Sequence, residues 1–221
     1  MRVVIKKTGV GRGLRIAAGL LIALSLGACE PPEKKLAEMV HEDKAGFEAL
    51  VKLKGGPVCR YDSCFNPVEQ LEGLILALRG VTLRKFFMLD IYTVALYLPE
   101  DVDTQDTVVP DGPKIIILDY HRQIEKAKVV AAIEDNVGKN PRVDQAAVHE
   151  RFDKLTRAFD PPHKGDRYIF SYVPGKGTSL IKDGVERVVI PGDDFAFAFF
   201  GIWTSPHGED KKMRTELLAL K

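Results

Sequence analysis

The chain has 221 residues, with 32 Lys and Arg against 31 Asp and Glu, so its formal charge at pH 7 is +1. This balance, without a cluster of basic residues, argues against a nucleic-acid-binding protein. The five histidines are scattered without paired spacing, and the sequence has no nucleophile motif or phosphate-binding loop, so we predict neither a metal site nor a cofactor.

The N-terminal residues have the pattern of an export signal. Residues 1–15 contain five basic residues and no acid, and the thirteen apolar or small residues 16–28 are too few to cross a bilayer as a helix. A basic start, a short apolar stretch and small residues before a cut site are typical of a secretory signal peptide. The ending LGAC resembles the bacterial lipobox, in which the cysteine is acylated and becomes the new N-terminus. We therefore predict that residues 1–28 are a lipoprotein signal peptide and that Cys29 is the lipid anchor; a plain signal peptide with a chance cysteine is the alternative.

The chain that begins at Cys29 has 193 residues and a formal charge of −4, because five basic residues and no acids precede it. That length suffices for one domain with its own core. Residues 29–35 are polar and contain prolines, so we predict a tether. Glu30, in place of Asp, points to the outer membrane if lipoproteins are sorted as in enteric bacteria. We expect a protein of the bacterial cell envelope, lipid-anchored on the periplasmic face of the outer membrane.

Residues 36–79 are predicted to form an N-terminal helical segment and a cysteine loop. Apolar residues recur at helical spacing in the first part (Leu36, Val40, Phe47, Leu50 and Leu53), and Gly55-Gly56-Pro57 ends the helix.

Cys59 and Cys64 lie close together in a turn-like stretch. An exported compartment permits disulfides, and four intervening residues allow the two Cα atoms to approach to bridging distance. A redox pair usually has two intervening residues, and a metal site needs further ligands. We predict a structural disulfide, with free thiols as the alternative.

The next segments alternate between strand-like and helix-like patterns. Residues 81–98 are rich in β-branched and aromatic residues, and their length predicts a bend, bulge or tight turn within the strand. Downstream, the patterns predict a short strand, two helices, three strands joined by turns, and two further helices (114–120, 124–137, 148–159, 167–190, 193–203 and 213–220). Asp183-Gly184 is a strong hairpin signal, and Asp193 is predicted as a helix N-cap. The order predicts an α+β fold: a large antiparallel sheet with a layer of helices on one face.

Arg84 is a charged residue in apolar surroundings, because its neighbours on both faces of the predicted strand are apolar. A buried guanidinium needs an acid or an anionic ligand, and its planar fork suits a carboxylate or oxyanion. Tyr92 shares the face of Arg84 in an unbroken strand, and in a hairpin the two residues can face each other. Pairing of Arg84 with Asp90, or its emergence at an edge, is the structural alternative.

The segment GVTLRKFFMLDIYTVALYL (80–98) resembles the opening motif of the chalcone isomerase-like family. GDRYIFSYVPGKGTSLIKDGV (165–185) is similar to the family's bacterial branch, and DFAFAFFGIW (194–203) and MRTELL (213–218) follow in the expected order. The resemblance covers residues 80–221. It implies an open-faced β-sandwich in which a cleft separates the antiparallel sheet from the helices.

The resemblance also suggests which residues form the site. In the family's plant enzymes, an arginine at the position of Arg84 stabilises oxyanion charge during a ring closure, with help from a threonine and from helix-borne Tyr and Asn residues. Asn136 matches that Asn, whereas Tyr92 replaces the threonine and Val129 occupies the catalytic Tyr position. In the fatty-acid-binding members, an Arg and a Tyr at the positions of Arg84 and Tyr92 hold the ligand carboxylate. Arg79 is the alternative arginine if the hairpin is longer.

Three functions follow as hypotheses. The favoured one is non-catalytic binding of a fatty acid or similar apolar carboxylate by Arg84, Tyr92 and Asn136. An apolar cleft would then be lined by side chains of the phenylalanine stripe, unless that stripe is ordinary core (Phe195, Phe197 and Phe199). An intramolecular lyase of the chalcone isomerase type is the alternative, and a vestigial site on a protein-interaction module is the third.

Overall fold

A computed structural model describes residues 44–102, 112–208 and 210–219. Cys29, the tether and the first part of the predicted N-terminal helix lie outside these residues. The described chain contains five helices: α1 (Lys44–Leu53), α2 (Lys126–Gly138), α3 (Gln145–Ala158), α4 (Asp193–Thr204) and α5 (Lys211–Leu218). It also contains nine strands: β1 (Val58–Arg60), β2 (Ser63–Phe65), β3 (Val68–Leu71), β4 (Leu74–Phe86), β5 (Leu89–Leu98), β6 (Lys114–Tyr120), β7 (Arg167–Val173), β8 (Gly177–Lys182) and β9 (Val185–Ile190).

Seven strands form one antiparallel sheet in the order of the chain, from β3 to β9, and β1 and β2 form a separate hairpin. The main hydrophobic core lies between this sheet and helices α2 to α5. A smaller apolar cluster, which includes Phe65, Val81 and Tyr97, lies on the opposite face. The prediction of an α+β fold with helices layered on an antiparallel sheet is confirmed.

The predicted strand at residues 81–98 is a hairpin of β4 and β5. Its tight turn falls at Phe87 and Met88, and irregularities in the register lie between Leu78 and Gly80 and between Arg84 and Lys85. Strand β4 begins at Leu74, earlier than predicted, because the turn that precedes it is made by Glu72 and Gly73, both with positive φ. The prediction of Asp193 as the N-cap is wrong: Gly192 occupies the cap, and the Asp193 carboxylate accepts a hydrogen bond of 2.8 Å from the Tyr172 hydroxyl.

Gly80 allows helix α5 to lie directly on strand β4. A Cβ atom at Gly80 would lie 2.3 Å from the Leu217 carbonyl oxygen, well inside ordinary van der Waals contact. Met213 and Leu217 of α5 are buried in the main core. The close approach brings the N-terminal end of α5 next to the strand that carries Arg84.

Gly177 has a similar role at the start of β8. Its φ is +112°, and a Cβ atom there would lie 2.3 Å from the Ile190 carbonyl oxygen. A glycine is needed at this position of the PGKGT stretch because both the backbone conformation and the space exclude a side chain.

Candidate functional site

Arg84 and Tyr92 are directly opposite each other on β4 and β5. The β4–β5 turn lies midway between them, so both side chains project from the same face of the sheet. This face is the one covered by helices, since Tyr92 packs against the main core and Arg84 contacts α5. The hairpin therefore brings together the two residues that the sequence proposed as a pair.

Arg84 lies beside the N-terminal end of α5. Its Nη1 atom is 3.6 Å from Oδ2 of Asp210, and the two side chains keep 24% and 35% of their exposure. The predicted structural alternative, Asp90, forms an ion pair with Lys85 at 3.1 Å. Asp210 is also the N-cap of α5, because its carboxylate accepts a hydrogen bond of 2.9 Å from the Met213 amide. The Arg84 side chain is thus partly exposed to solvent beside this carboxylate.

Tyr92 is held by two aromatic neighbours. The indole Nε1 of Trp203 on α4 donates a hydrogen bond of 3.1 Å to the Tyr92 hydroxyl oxygen. The Tyr120 ring contacts the Tyr92 ring edge to face, with centroids 5.5 Å apart. Burial, together with the proximity of Tyr92 and Tyr168, raises the pKa of Tyr120 well above its usual value, so this phenol stays neutral at physiological pH. In this contact the Tyr92 hydroxyl oxygen is the acceptor, so Trp203 fixes the position of the phenol group.

The helix-borne positions lie on α2. Asn136 uses its amide within the helix, donating a hydrogen bond of 2.7 Å to the Ala132 carbonyl oxygen. Val129 is partly buried and packs against the main core, as does Ile133. Val129, which the family resemblance aligns with a catalytic tyrosine, therefore contributes an apolar side chain at this position.

Arg79, the alternative arginine, is located in the irregularity of β4 between Leu78 and Gly80. It is 9% exposed, and its Nη2 donates a hydrogen bond to the Pro99 carbonyl oxygen. Its Nε has no hydrogen-bond partner among the described residues. Arg79 does not face Tyr92, because the residues opposite it lie around Leu96 and Tyr97, at the far end of β5.

The phenylalanine stripe of α4 serves mainly as core. Phe195 and Phe199 are fully buried, and their rings contact Phe152 of α3. Phe197 points elsewhere, since the Arg142 guanidinium lies 4.9 Å above its ring. The stripe therefore fixes α4, and with it Trp203, on the sheet.

A cavity of about 800 Å³ opens on the opposite face of the sheet, near the β4–β5 turn. Leu83, Asp119 and Arg167 contribute to its walls, and their positions alternate with those of Arg84 and Tyr92. The β1–β2 hairpin covers this face, with Arg167 donating a hydrogen bond of 2.9 Å to the Cys64 carbonyl oxygen. The cavity is separate from the predicted carboxylate site.

Polar contacts at this second face were not predicted from the sequence. Arg167 and Asp119 form a two-pronged ion pair with both contacts at 2.6 Å, and this hydrogen bonding raises the pKa of Arg167. The Thr93 hydroxyl lies 2.7 Å from Nε2 of His121. Thr93, Asp119 and Arg167 follow one another across β5, β6 and β7. In the sequence, the signal for these contacts is a polar residue on the same face of each of three neighbouring strands.

Cys59 and Cys64 are opposite each other on β1 and β2, with Cα atoms 4.1 Å apart and their sulfur atoms bonded. Within the described ranges, no group of three or more His, Cys, Asp or Glu side chains is arranged to hold a metal ion. Among the same residues, no helix is long and apolar enough to cross a membrane.

Comparison with known proteins identifies a protein family and similar solved structures. A protein-family model described as chalcone isomerase-like matches residues 65–219. Among solved structures, the chain is similar to a fatty-acid binding protein of Arabidopsis thaliana (AtFAP1), with a TM-score of 0.59 and 14% sequence identity over 73% of this chain and 95% of that chain. No curated protein sequence matches the chain.

Proposed function

The chain belongs to the chalcone isomerase-like family, and on that basis we propose that its domain binds a fatty acid or a similar apolar carboxylate without transforming it. The observation that carries the proposal is the direct opposition of Arg84 and Tyr92 on the helix-covered face. A guanidinium and a phenol hydroxyl on adjacent strands supply three donors to one carboxylate group. The fatty-acid-binding function named for the similar Arabidopsis structure agrees with this reading.

The acyl chain would lie between the sheet and the helices. Val129 and Ile133 on α2 and Ile202 on α4 are partly buried apolar side chains that pack against the same core as Tyr92. They lie on the same side of the sheet as the polar pair, because Tyr92 packs against that core as well. Asn136, the third proposed ligand contact, would have to exchange its hydrogen bond to Ala132 for one to the ligand.

Binding is favoured over ring-closing catalysis by the groups that are present. Catalysis of the family type uses a tyrosine where this chain has Val129, and that side chain packs against the core. Tyr92 stands in place of the threonine, and its hydroxyl is already the acceptor for Trp203. Val129 therefore removes one polar group of the catalytic set, and Tyr92 replaces the threonine hydroxyl with a phenol that is proposed to contact the ligand carboxylate.

The first test is mass spectrometry of lipids that co-purify with the natively expressed protein, followed by displacement of a fluorescent fatty acid. A charge-assisted two-pronged contact contributes roughly 1.5–3 kcal/mol, so Arg84→Ala is expected to weaken binding by about 10- to 150-fold. Arg84→Lys is expected to restore little, because an ammonium lacks the planar fork. Arg60→Ala, at an exposed position on β1, is the matched control and should leave affinity unchanged.

Stability measurements separate a ligand site from a structural ion pair. The contact between Arg84 and Asp210 is long and partly exposed, so its loss should cost less than about 1 kcal/mol. An Arg84→Ala protein that melts several degrees lower, with no fatty-acid binding in either form, would refute the binding proposal. It would favour the vestigial site on an interaction module.

We also propose that Cys29 tethers this domain to the bacterial outer membrane. The basis is the LGAC ending of a short apolar segment that follows a basic start. Two acyl chains already give stable membrane attachment, so the wild-type protein should sediment with membranes. Cys29→Ser should release it or leave the signal uncut, and a Cys29→Ser protein that fractionates and migrates like wild type would contradict the tether.

A further inference from the structure

The β4–β5 hairpin ends in four consecutive exposed apolar residues. Phe86, Phe87, Met88 and Leu89 retain 59%, 85%, 91% and 48% of their exposure. An exposed run of this kind weakens solubility and is usually retained only for a contact with a protein or a membrane.

The backbone at this tip is also unusual. Phe87 has a φ of +53°, a conformation normally left to Gly, Asn or Asp in a two-residue turn. The rings of Phe86 and Phe87 contact each other edge to face, with centroids 4.7 Å apart. An aromatic residue therefore occupies a turn position that a small polar residue would fit better.

The shape of the tip indicates what it contacts. A two-residue turn at the end of a long hairpin is convex, so it offers no groove for a peptide or a helix. It can enter the apolar layer beneath lipid headgroups, where each large apolar side chain that leaves water favours the inserted state by about tenfold or more.

Basic residues lie beside the tip. Arg122 and Lys164 line the same cavity as Met88 and Leu89, and neither forms an ion pair within the described part of the chain. Three acids line the same cavity: Asp90 is paired with Lys85 and Asp119 with Arg167, and Asp62 is the third. Two cations around an apolar protrusion match the phosphate groups that surround the acyl region of a phospholipid bilayer.

We propose that the β4–β5 tip inserts into a phospholipid bilayer, with Phe87 and Met88 below the headgroups and Arg122 and Lys164 against lipid phosphates. This docking is independent of the fatty-acid-binding proposal. It would orient the domain so that Arg84, two residues from Phe86 in the sequence, lies near the membrane surface.

The test uses the full chain with Phe87→Trp, reconstituted into phosphatidylcholine vesicles that also contain the anionic lipid phosphatidylglycerol. The protein without this change has a single tryptophan, Trp203, which is 6% exposed. The fluorescence of Trp203 is measured on that protein and subtracted as background. The matched control is Leu74→Trp, because Leu74 is 47% exposed and begins the same strand. Strand β4 has 13 residues, so the two reporters at its ends lie about 40 Å apart.

Docking predicts a blue-shifted emission for Phe87→Trp and strong quenching by lipids brominated on their acyl chains. It also predicts protection from aqueous acrylamide by about fivefold or more relative to Leu74→Trp. Equal quenching of the two reporters by brominated lipid would overturn the proposal. Protection of Phe87→Trp from acrylamide without vesicles would also overturn it, since another protein copy would then cover the tip.

Two further changes in the Phe87→Trp protein test the parts of the proposal. Met88→Ser with Leu89→Ser should lower the ratio of docked to undocked protein by at least about tenfold, because apolar area is lost from the inserted tip. Arg122→Glu with Lys164→Glu should reduce the ratio by a similar factor, since each cation near a membrane contributes about fivefold. Unchanged quenching after the charge reversal would refute the phosphate contacts.

Discussion

Gly80 provides a sharp test of how the site is built, because helix α5 lies directly against it. In Gly80→Ala the new Cβ would lie 2.3 Å from the Leu217 carbonyl oxygen and 2.4 Å from the Glu216 carbonyl oxygen. Ordinary contact begins at about 3.4 Å, so α5 would have to move by about 1 Å. The obstacle is backbone, and no rotation of a side chain can relieve it.

The cost of this change follows from what α5 contributes. Forcing an extra methyl group into a packed interface costs about 1–3 kcal/mol. Moving α5 also loosens Met213 and Leu217, each of which contributes about 1.5–3 kcal/mol when fully buried. We expect Gly80→Ala to lower the free energy of unfolding by about 2–5 kcal/mol. For a domain of this size that corresponds to a fall in Tm of roughly 4–20 °C.

The assay is thermal and urea unfolding followed by circular dichroism, with Gly138→Ala as the control. Gly138 ends α2, and a Cβ there would meet nothing closer than 3.6 Å, so this variant should be neutral or slightly stabilised. A Gly80→Ala protein whose Tm lies within about 1 °C of wild type would show that α5 does not pack on β4 as described.

Two more predictions concern the β1–β2 hairpin and a charge pair. The Cys59–Cys64 disulfide predicts an intact mass two hydrogens lower without reductant, and free alkylation of both thiols in the native protein would contradict it. Burial alone would raise the pKa of Asp166, but hydrogen bonds from the His163 amide and the Lys182 ammonium outweigh it, so its pKa lies below 3.8. Because the pKa of Asp166 is lower in the folded protein than in the unfolded chain, the ionised carboxylate stabilises the fold. This contribution is complete above pH 3.8 and is lost as the pH falls further. The difference in urea midpoint between wild type and Asp166→Asn should therefore shrink below pH 3.8, and a constant difference would refute this assignment.

Much of the fold could be predicted because its signals are local. The alternation of apolar residues and the Asp183-Gly184 turn predict the β8–β9 hairpin, which the structure contains. The start of β4 was missed because a turn with positive φ at Glu72 and Gly73 separates it from β3, and glycine in a strand-like stretch weakens the pattern.

The candidate site could be predicted only in part. The opposition of Arg84 and Tyr92 depends on one local feature, the position of the turn midway between them. Their other neighbours are far away in the sequence: Trp203 is 111 residues from Tyr92, and Asp210 reaches Arg84 only because α5 packs on Gly80. Contacts of this kind depend on how helices pack on the sheet, which no single-sequence pattern encodes.

Asp210 distinguishes a ligand site from a structural one, because it offers Arg84 the same chemical group that a fatty acid would offer. A bound carboxylate would have to share the guanidinium with Asp210 and would be repelled by its charge.

Asp210→Asn removes that charge and keeps the N-cap of α5, since Asn caps helices as well as Asp does. If Arg84 binds the ligand carboxylate, this variant should bind fatty acid up to about fivefold more tightly, the upper end of the range expected for a partly exposed ion pair. In an Arg84→Ala background the same change should give a much smaller gain, because the shared cation is absent. The measurement is a double-mutant cycle by displacement of a fluorescent fatty acid, with thermal unfolding of each variant in parallel. An Asp210→Asn protein with unchanged affinity and a lowered Tm would assign both residues to a structural ion pair and refute the carboxylate site at Arg84.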